Sequence, residues 1–320
     1  MAHPPAPDPT GELAVRLARA LDVDKVDGLV RLSGGASRDT WRFTADGRSL
    51  VLQMQRSGDG RDMGVEAAVV RAAGKAGMPV ASIVAASNQA DDIGASYMVL
   101  TAVQGETIAR KILRDDEFIA ARAALTTELG SALAVLHSIP IDAVPGLADL
   151  EQVAHYRDML DSLGWPHPAF ELAFRWLEQH RPASAARAIV HGDFRLGNMI
   201  VGPAGLGAII DWELAHVGDP MEDLGWLCVK AWRFGSPRPV AGVGDYAELF
   251  AAYEAGGGTT VDPDAVRWWE VLGTLKWGIM CMVQAAAHLS GTSRSHELAA
   301  IGRRVCENEH DLFLALEGRW

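Results

Sequence analysis

The chain has 320 residues, of which 49% are hydrophobic and 22% charged, and its formal net charge is −12. This is the composition of a globular protein long enough to build two lobes with separate cores. The excess of acidic residues argues against a large basic face for nucleic acid. An acidic surface suits a cationic substrate, although solubility alone is the commoner reason for it.

The N-terminal residues 1–10 are rich in proline and alanine and lack the basic start and apolar centre of a signal peptide. We therefore expect a disordered tail there. The segment closest to a membrane span, residues 272–289, is interrupted by Lys276, Gln284 and His288. These polar residues favour a buried core helix, so no membrane partner is expected.

The three cysteines, Cys228, Cys281 and Cys306, lie among apolar residues and show no spacing typical of metal ligands. Their odd number and their surroundings predict buried free thiols. Free thiols in turn indicate a reducing compartment, so the expected location is the cytoplasm.

Residues 11–103 are predicted to form a small β-rich lobe. Short apolar runs bounded by turn residues predict an antiparallel set of strands, and Asp46-Gly47 predicts a hairpin turn between the second and third. A helix that ends at Gly77, just before Pro79, is predicted to accompany the sheet. The predicted helices are 11–21 and 61–77, and the predicted strands are 29–32, 40–44, 49–54, 83–86 and 96–101.

Residues 104–320 are predicted to be mostly helical. Apolar residues recur at helical spacing in the first long segment, as at Leu125, Leu129 and Leu133. The predicted helices are 116–137, 150–163, 169–179, 219–232, 245–255, 264–289 and 294–316. A small sheet-rich lobe followed by a larger helical lobe defines an α+β, two-lobed protein.

The strongest chemical signal lies in the second lobe. Asp193 is followed by Asn198 five residues later and by Asp211 thirteen residues beyond that, with short predicted strands between them. Three oxygen-bearing side chains so spaced can converge on one point. Transfer of a phosphoryl group from a magnesium nucleotide needs such a set: Asp193 to orient the attacking hydroxyl and accept its proton, and Asn198 and Asp211 to hold Mg²⁺.

Neighbouring residues are predicted to support this loop. Arg195 is placed to reach a phosphate oxygen, with a plain surface arginine as the alternative. His191 is expected to pack behind the loop and hydrogen-bond to backbone. Asp219 caps the helix that follows, and Asp223 is expected to brace the loop from that helix.

Two features of the first lobe indicate nucleotide binding more weakly. The turn at residues 33–37 contains Gly34, Gly35 and Ser37, and its glycines allow backbone amides to approach phosphate oxygens, although tight hairpins also favour glycine. Glu66, early in the predicted helix 61–77, is placed to pair with a cation on the third strand. A solvated glutamate is the alternative.

These motifs resemble the aminoglycoside phosphotransferase family, which is related to choline kinases and more distantly to protein kinases. Residues 191–198 resemble its catalytic loop, residues 209–211 its metal-binding strand end, and residues 218–224 the element that follows. The residue sequence of the catalytic loop and the Val51-Leu52 strand are most similar to one branch of the family. That branch includes the kinase-like domains fused to some acyl-CoA dehydrogenases. The resemblance implies a protein-kinase-like fold, with an N-lobe over residues 11–103 and a C-lobe over residues 104–320.

The resemblance also implies an interlobe hinge at residues 99–105, whose backbone near Thr101 and Val103 would hydrogen-bond adenine. One departure from the family stands out. The family places a lysine, or in this branch an arginine, on the third strand to hold the nucleotide phosphates, and the alignment puts Gln53 there. Gln53 carries no charge, so either phosphate binding is weakened or another cation, such as Arg56, takes its place.

The predicted function is therefore an ATP- and Mg²⁺-dependent phosphotransferase, with GTP as a possible donor, that acts on a hydroxyl of a small molecule. Gln53 motivates the first alternative, a catalytically weak nucleotide-binding pseudokinase or scaffold. A protein Ser/Thr kinase is the second alternative, but glycine does not follow Asp211-Trp212 and no Ala-Pro-Glu follows later. The pattern leaves the acceptor and the oligomeric state open.

Overall fold

The computed structural model of the protein describes residues 9–32, 38–56, 62–183 and 186–319. The fold is α+β, with an N-terminal five-stranded antiparallel sheet followed by a mostly helical C-terminal part. The N-lobe elements are α1 (Pro9–Leu21), β1 (Val26–Arg31), β2 (Arg38–Ala45), β3 (Arg48–Gln55), α2 (Met63–Lys75), β4 (Ile83–Ser87), α3 (Ala90–Ile93) and β5 (Tyr97–Thr101).

Every neighbouring pair of strands in the N-lobe sheet is antiparallel, as the sequence predicted, and the structure adds the strand order β1-β2-β3-β5-β4. Alternation along the strands separates two faces. Phe43, Leu50 and Leu52 lie on the face that packs with Leu17 of α1. The opposite face carries Met98, which packs against Met63 and Ala67 of α2. Gln53 is paired with Met98 and therefore lies on the α2 side.

The C-lobe begins after a short connection and contains most of the helices. Its helices are α4 (Ala109–Arg114), α5 (Ile119–His137), α6 (Gln152–Leu163), α7 (Pro168–Gln179), α8 (Pro220–Cys228), α9 (Tyr246–Ala255), α10 (Pro263–Leu289), α11 (His296–Gly302) and α12 (Val305–Leu316). Its strands are β6 (Ala188–Val190), β7 (Met199–Gly202), β8 (Gly205–Ile209) and β9 (His216–Gly218).

The four C-lobe strands form two small antiparallel pairs that frame the predicted site. Strand β6 pairs with β9, and β7 pairs with β8. In the second pair Met199 faces Ile209, so the residues just before β7 and just after β8 are adjacent in space. Asn198 immediately precedes β7, and Asp211 follows Ile210, whose amide donates to Asn198 O at 3.0 Å. The hairpin therefore explains why two residues thirteen apart in sequence come together.

Helix α5 is the centre of the C-lobe core. With the turn before it, the segment Asp116–His137 is long and apolar enough to span a membrane by length and composition, and half of its most apolar stretch is buried. Its apolar residues Leu125, Leu129 and Leu133 are fully buried in the core cluster that includes Leu249 and Tyr253 of α9. Packing inside the C-lobe accounts for its composition.

The structure corrects two helix predictions in the C-lobe. The helix predicted over 219–232 ends at Cys228, because Val229 adopts an extended conformation before a 3-10 turn at Lys230–Arg233. The helix predicted over 294–316 is two helices. At the junction, a side chain on Gly302 would lie 2.6 Å from the Cβ of Ala285, so the chain passes close to α10 and turns there.

Cys228 and Cys281 are buried free thiols, as predicted, but Cys306 is exposed. The apolar neighbours of Cys306 in sequence misled the prediction, because helix α12 turns Leu312 and Ala315 toward the core and Cys306 away from it.

Helices α5 and α9 approach closely at Gly130, where a Cβ atom would lie 2.9 Å from both the Leu249 oxygen and the Tyr253 nitrogen. We expect Gly130→Ala to lower the free energy of unfolding by about 1–3 kcal/mol, because the backbone of α9 must shift. Denaturant unfolding measures this loss.

The matched control is Gly74→Ala, also within a helix, where the new Cβ meets only the Val80 side chain at 3.1 Å. Its helix-propensity gain, about 1 kcal/mol at most, opposes any loss from that contact. Equal effects of the two substitutions would contradict the close helix crossing.

Candidate active site

Asp193 lies in the loop between β6 and β7, and three side chains hold its carboxylate. Arg195 Nε donates to Oδ1 at 3.0 Å and Oδ2 at 3.2 Å. The indole nitrogen of Trp226 donates to Oδ1 at 2.8 Å. The Asn198 amide donates to Oδ2 at 2.5 Å. A carboxylate so oriented is fixed in one rotamer while its side chain stays 13% exposed, so a hydroxyl can still reach it.

The side-chain amide of Asn198 is equally constrained. Its nitrogen donates to the carbonyl oxygen of Asp193 at 3.0 Å as well as to the Asp193 carboxylate. Both hydrogens of the amide are thereby used, which leaves the amide oxygen as the acceptor end that suits a hard cation. The backbone also ties Asn198 to the next strand, because Ile210 N donates to Asn198 O at 3.0 Å.

Asp211 follows strand β8 in a left-handed conformation with φ of 68°. Burial, followed by the charges of Glu213 and Asp193, raises the pKa of the Asp211 carboxyl to about 7. A buried carboxyl whose charged form is disfavoured by two neighbouring carboxylates is stabilised by a nearby cation, so the position of Asp211 fits a hard divalent cation.

Within the described residues, no group of three or more His, Cys, Asp or Glu side chains could hold a metal ion unaided. Mg²⁺ commonly takes one or two protein ligands and fills its other positions with water and phosphate oxygens, so the predicted ligands do not require such a group. Asn198 and Asp211 are the residues that would hold it here.

Asp223 braces the catalytic loop from α8, as predicted. It is fully buried, and its two oxygens accept hydrogen bonds from His191 N at 2.7 Å and Gly192 N at 2.9 Å. His137 Nε2 lies 3.2 Å from the same carboxylate. Burial acts to raise the pKa of Asp223, but the hydrogen bond and charge of His137 outweigh it and hold that pKa below its usual value.

His191 also lies where the sequence predicted, behind the loop and fully buried. Its Nδ1 accepts from Asp193 N at 3.2 Å, and Nε2 lies 3.2 Å from Ile210 O. Burial lowers the pKa of the imidazole, so the neutral ring is favoured and can accept one hydrogen bond while donating the other. It thus connects the catalytic loop to the strand that leads into Asp211.

The predicted partner of Glu66 is wrong in one respect. Glu66 is buried and pairs with a cation, but the cation is Arg38 on β2 and not a residue of the third strand. The guanidinium of Arg38 also donates to the side-chain oxygen of Gln53 at 3.3 Å. Arg56, the suggested substitute, instead pairs with Asp39 at 3.0 Å and is 43% exposed.

The structure distinguishes the two predicted hinge residues. The backbone amide of Thr101 already donates to Ser82 O at 2.9 Å. Val103 lies in the connection after β5, outside any strand, and the hydrogen bonds described for this part of the chain include none from its amide. Val103 is thus the better donor for a nucleobase edge. Gly34, Gly35 and Ser37 of the predicted phosphate-binding turn lie outside the described residues.

Four residues of the site were not identified from the sequence: Arg38, Glu213, Trp226 and Lys276. Lys276 is buried in α10 and donates to Gly192 O at 2.7 Å, so it supports the catalytic loop from behind. The sequence did contain a sign of this role, because Lys276 interrupts the otherwise apolar segment 272–289. Trp226 gave none, because an indole in an apolar helix is usually explained by core packing.

Comparison with known proteins shows the family of this chain. Residues 28–269 match the model of the APH phosphotransferase enzyme family, and the chain belongs to that family. It is 27% identical over 230 residues to acyl-CoA dehydrogenase family member 10 of Mus musculus, and 29% identical over 210 residues to member 11 of Gallus gallus. These matches cover 66% and 61% of this chain but only 21% and 27% of the two relatives, so the chain spans about a quarter of their length.

Solved structures show the same fold at low sequence identity. A protein from Ralstonia eutropha, provisionally described as an aminoglycoside phosphotransferase, has a TM-score of 0.74 at 20% identity, covering 97% of this chain and 98% of that one. Spectinomycin phosphotransferase in complex with ADP and spectinomycin has a TM-score of 0.68 at 13% identity, covering 97% and 99%. A choline/ethanolamine kinase family protein from Mesorhizobium loti has a TM-score of 0.63 at 22% identity, covering 89% and 88%.

We expect Asp223→Ala to lower the free energy of unfolding by about 2–5 kcal/mol, because it leaves two buried amides without an acceptor. Asp245→Ala is the matched control, since Asp245 precedes α9 without a side-chain cap bond and is exposed. Chemical denaturation compares the two, and similar stabilities would show that the amides of His191 and Gly192 do not depend on Asp223.

Proposed function

We propose that this protein transfers the terminal phosphoryl group of a magnesium nucleotide, ATP or alternatively GTP, to a hydroxyl group of a small molecule. The observation that carries the proposal is the convergence of Asp193, Asn198 and Asp211 at the ends of one hairpin. Solved structures of similar fold in complex with ADP or GDP support a nucleotide-binding site.

In this mechanism Asp193 orients the acceptor hydroxyl and takes its proton as the new oxygen–phosphorus bond forms. The bond between the terminal phosphorus and its bridging oxygen breaks, and the nucleoside diphosphate leaves with the electron pair. Asn198 and Asp211 would hold Mg²⁺, which neutralises charge on the phosphates. Arg195 orients the carboxylate of Asp193 and presents its remaining donors near the transferred group.

We propose that the acceptor molecule binds near Trp232. The guanidinium of Arg195 lies over the Trp232 ring at 4.8 Å. The 3-10 turn Lys230–Arg233 that carries this tryptophan also lines an open cleft of about 800 Å³. Cations and acids both line the cleft, including Arg110, Lys230, Arg304, Glu307 and Asp311.

A mixed lining of this kind does not favour a polycationic aminoglycoside over other acceptors. The acceptor screen therefore covers aminoglycosides, macrolides, amino alcohols, sugars and hydroxyacyl thioesters, with nucleoside diphosphate release as the readout.

A catalytically weak nucleotide-binding protein is the second candidate, and Gln53 is the observation that favours it. A thermal-shift titration with Mg-ATP followed by the acceptor screen separates the two functions. Stabilisation by Mg-ATP without phosphorylation of any acceptor supports the second candidate. Phosphorylation of one acceptor class at a rate far above ATP hydrolysis supports the first.

We expect Asp193→Asn to reduce kcat by about 10²–10⁴-fold, because the amide cannot accept the proton of the hydroxyl. Nucleotide affinity changes little, since Asp193 acts on the acceptor. Steady-state kinetics with the acceptor found in the screen, together with calorimetric ADP binding, measures both effects. The surface variant Asp245→Asn is the control, and an unchanged kcat in Asp193→Asn would remove Asp193 from its assigned role.

Asp211→Asn is expected to weaken the dependence of ADP binding on Mg²⁺, because a neutral amide is a poorer ligand for a hard cation than a carboxylate. Calorimetric titrations of ADP at increasing Mg²⁺ concentrations measure this dependence, with Asp245→Asn again as the control. If Asp211→Asn and the parent protein gain the same affinity from Mg²⁺, then Asp211 is not a metal ligand.

A further inference from the structure

We propose that Arg38 on β2 replaces the missing third-strand cation and holds the nucleotide phosphates. The proposal rests on the proposed phosphotransferase function and names the residue that anchors its donor. Family resemblance leads to the third strand, where this chain has the neutral Gln53. The contacts around Gln53 instead identify a cation on the neighbouring strand β2.

The side chain of Arg38 is buried under the N-lobe sheet, with only 4% of the residue exposed. In the β2–β3 register Arg38 faces Gln55, and Thr40 faces Gln53. Arg38 and Gln53 therefore point to the same side of the sheet, toward α2. The long arginine side chain reaches from β2 to the space that a third-strand lysine would otherwise fill.

Glu66 of α2 fixes the orientation of this guanidinium. Nη1 of Arg38 donates to one oxygen of Glu66 at 2.7 Å, and Nη2 donates to the other. Glu66 is itself 7% exposed, so the pair is held away from solvent. A bidentate pair of this kind presents the remaining guanidinium hydrogens in a fixed plane.

Gln53 assists this arrangement and does not compete with it. Its side-chain oxygen accepts from Arg38 Nη1 at 3.3 Å. The amide of Gln53 is thereby turned so that its NH₂ group lies away from the arginine and is left to donate to another acceptor. A charged donor from β2 and a neutral donor from β3 are thereby left to contact the phosphates together.

Arg38 also faces the metal-binding end of the C-lobe. Its Nη2 lies 3.5 Å from Glu213 Oε2, two residues beyond Asp211. The charges of Glu66, Glu213 and Asp211 raise the pKa of the guanidinium against the effect of its burial. Arg38 therefore lies between α2 and the turn at residues 211–213, which contains the predicted metal ligand Asp211. Phosphates bound to a metal at Asp211 would lie beside this guanidinium.

One donor of Arg38 is left without a partner. Its buried Nε has no hydrogen-bond acceptor among the described atoms. Buried polar hydrogens are normally satisfied, so an unpaired one beside a predicted ligand site favours an acceptor supplied by the ligand. A phosphate oxygen is an acceptor of the required charge and geometry.

The test compares ADP with adenosine, because only ADP carries phosphates. We expect Arg38→Gln to weaken calorimetric ADP binding by about 10- to 100-fold, the effect of losing a charge-assisted hydrogen bond. The affinity for adenosine is expected to change by no more than about twofold, which is well below the change caused by losing one charge-assisted hydrogen bond. Arg42→Gln, which removes an exposed arginine from the same strand, is the matched control and leaves both affinities unchanged.

Two further variants separate anchoring from folding. Arg38→Lys keeps a charge for Glu66 and is expected to bind ADP with intermediate affinity. Adding Gln53→Lys to Arg38→Gln returns the cation to the third strand and should recover most of the lost ADP affinity. Thermal unfolding of each variant checks that it is folded. If Arg38→Gln is unfolded, the ADP affinities of Arg38→Lys and of the double variant test the proposal instead.

Three results overturn the assignment. ADP affinity that is unchanged in Arg38→Gln excludes anchoring, and an equal loss for adenosine and ADP indicates a structural effect. Failure of the parent protein to bind either compound overturns the assignment and the proposed function together. Normal nucleotide binding and phosphoryl transfer in the parent, with no specific ADP loss in the variants, overturns the assignment alone.

Discussion

The site depends on one buried carboxylate. Asp223 accepts hydrogen bonds from the amides of His191 and Gly192, and these two bonds determine the path of the loop that carries Asp193. Lys276 holds the same loop through the carbonyl oxygen of Gly192. The loop is therefore fixed on both its donor and acceptor sides by side chains of two different helices. Buried polar contacts stabilise a fold only when every polar group has a hydrogen-bond partner. Helices α8 and α10 and the loop must therefore fold together.

Gly192 shows how tightly this arrangement is packed. It has a φ of 76°, and a Cβ atom there would lie 2.4 Å from the carbonyl oxygen of Leu214. The catalytic loop thus passes directly over the segment that links Asp211 to β9. Because His191 also contacts Ile210 O, the predicted base and the predicted metal ligands belong to one rigid unit. The N-lobe contacts this unit through Arg38, whose Nη2 lies 3.5 Å from Oε2 of Glu213 in the C-lobe.

The sequence alone predicted the parts of this structure that local patterns encode. The antiparallel strands of the N-lobe, the Asp46-Gly47 turn and the supporting positions of His191 and Asp223 follow from alternation, turn chemistry and motif spacing. The ion pair of Arg38 could not be predicted in this way, because it requires both the β2–β3 register and the position of α2 on the sheet. Trp226 was missed for a related reason, since its indole reaches Asp193 only because α8 packs beneath the loop.

The bond between Trp226 and Asp193 has an optical consequence. The indole nitrogen lies 2.8 Å from the carboxylate oxygen that a substrate hydroxyl would approach. The ring of Trp226 is 5.2 Å from that of Trp232, which is 4.8 Å from that of Trp277. Indole emission responds to nearby charge and to energy exchange between adjacent rings. The protein therefore contains an intrinsic fluorophore in direct contact with its predicted catalytic base, so a ligand that reaches Asp193 changes the surroundings of this indole.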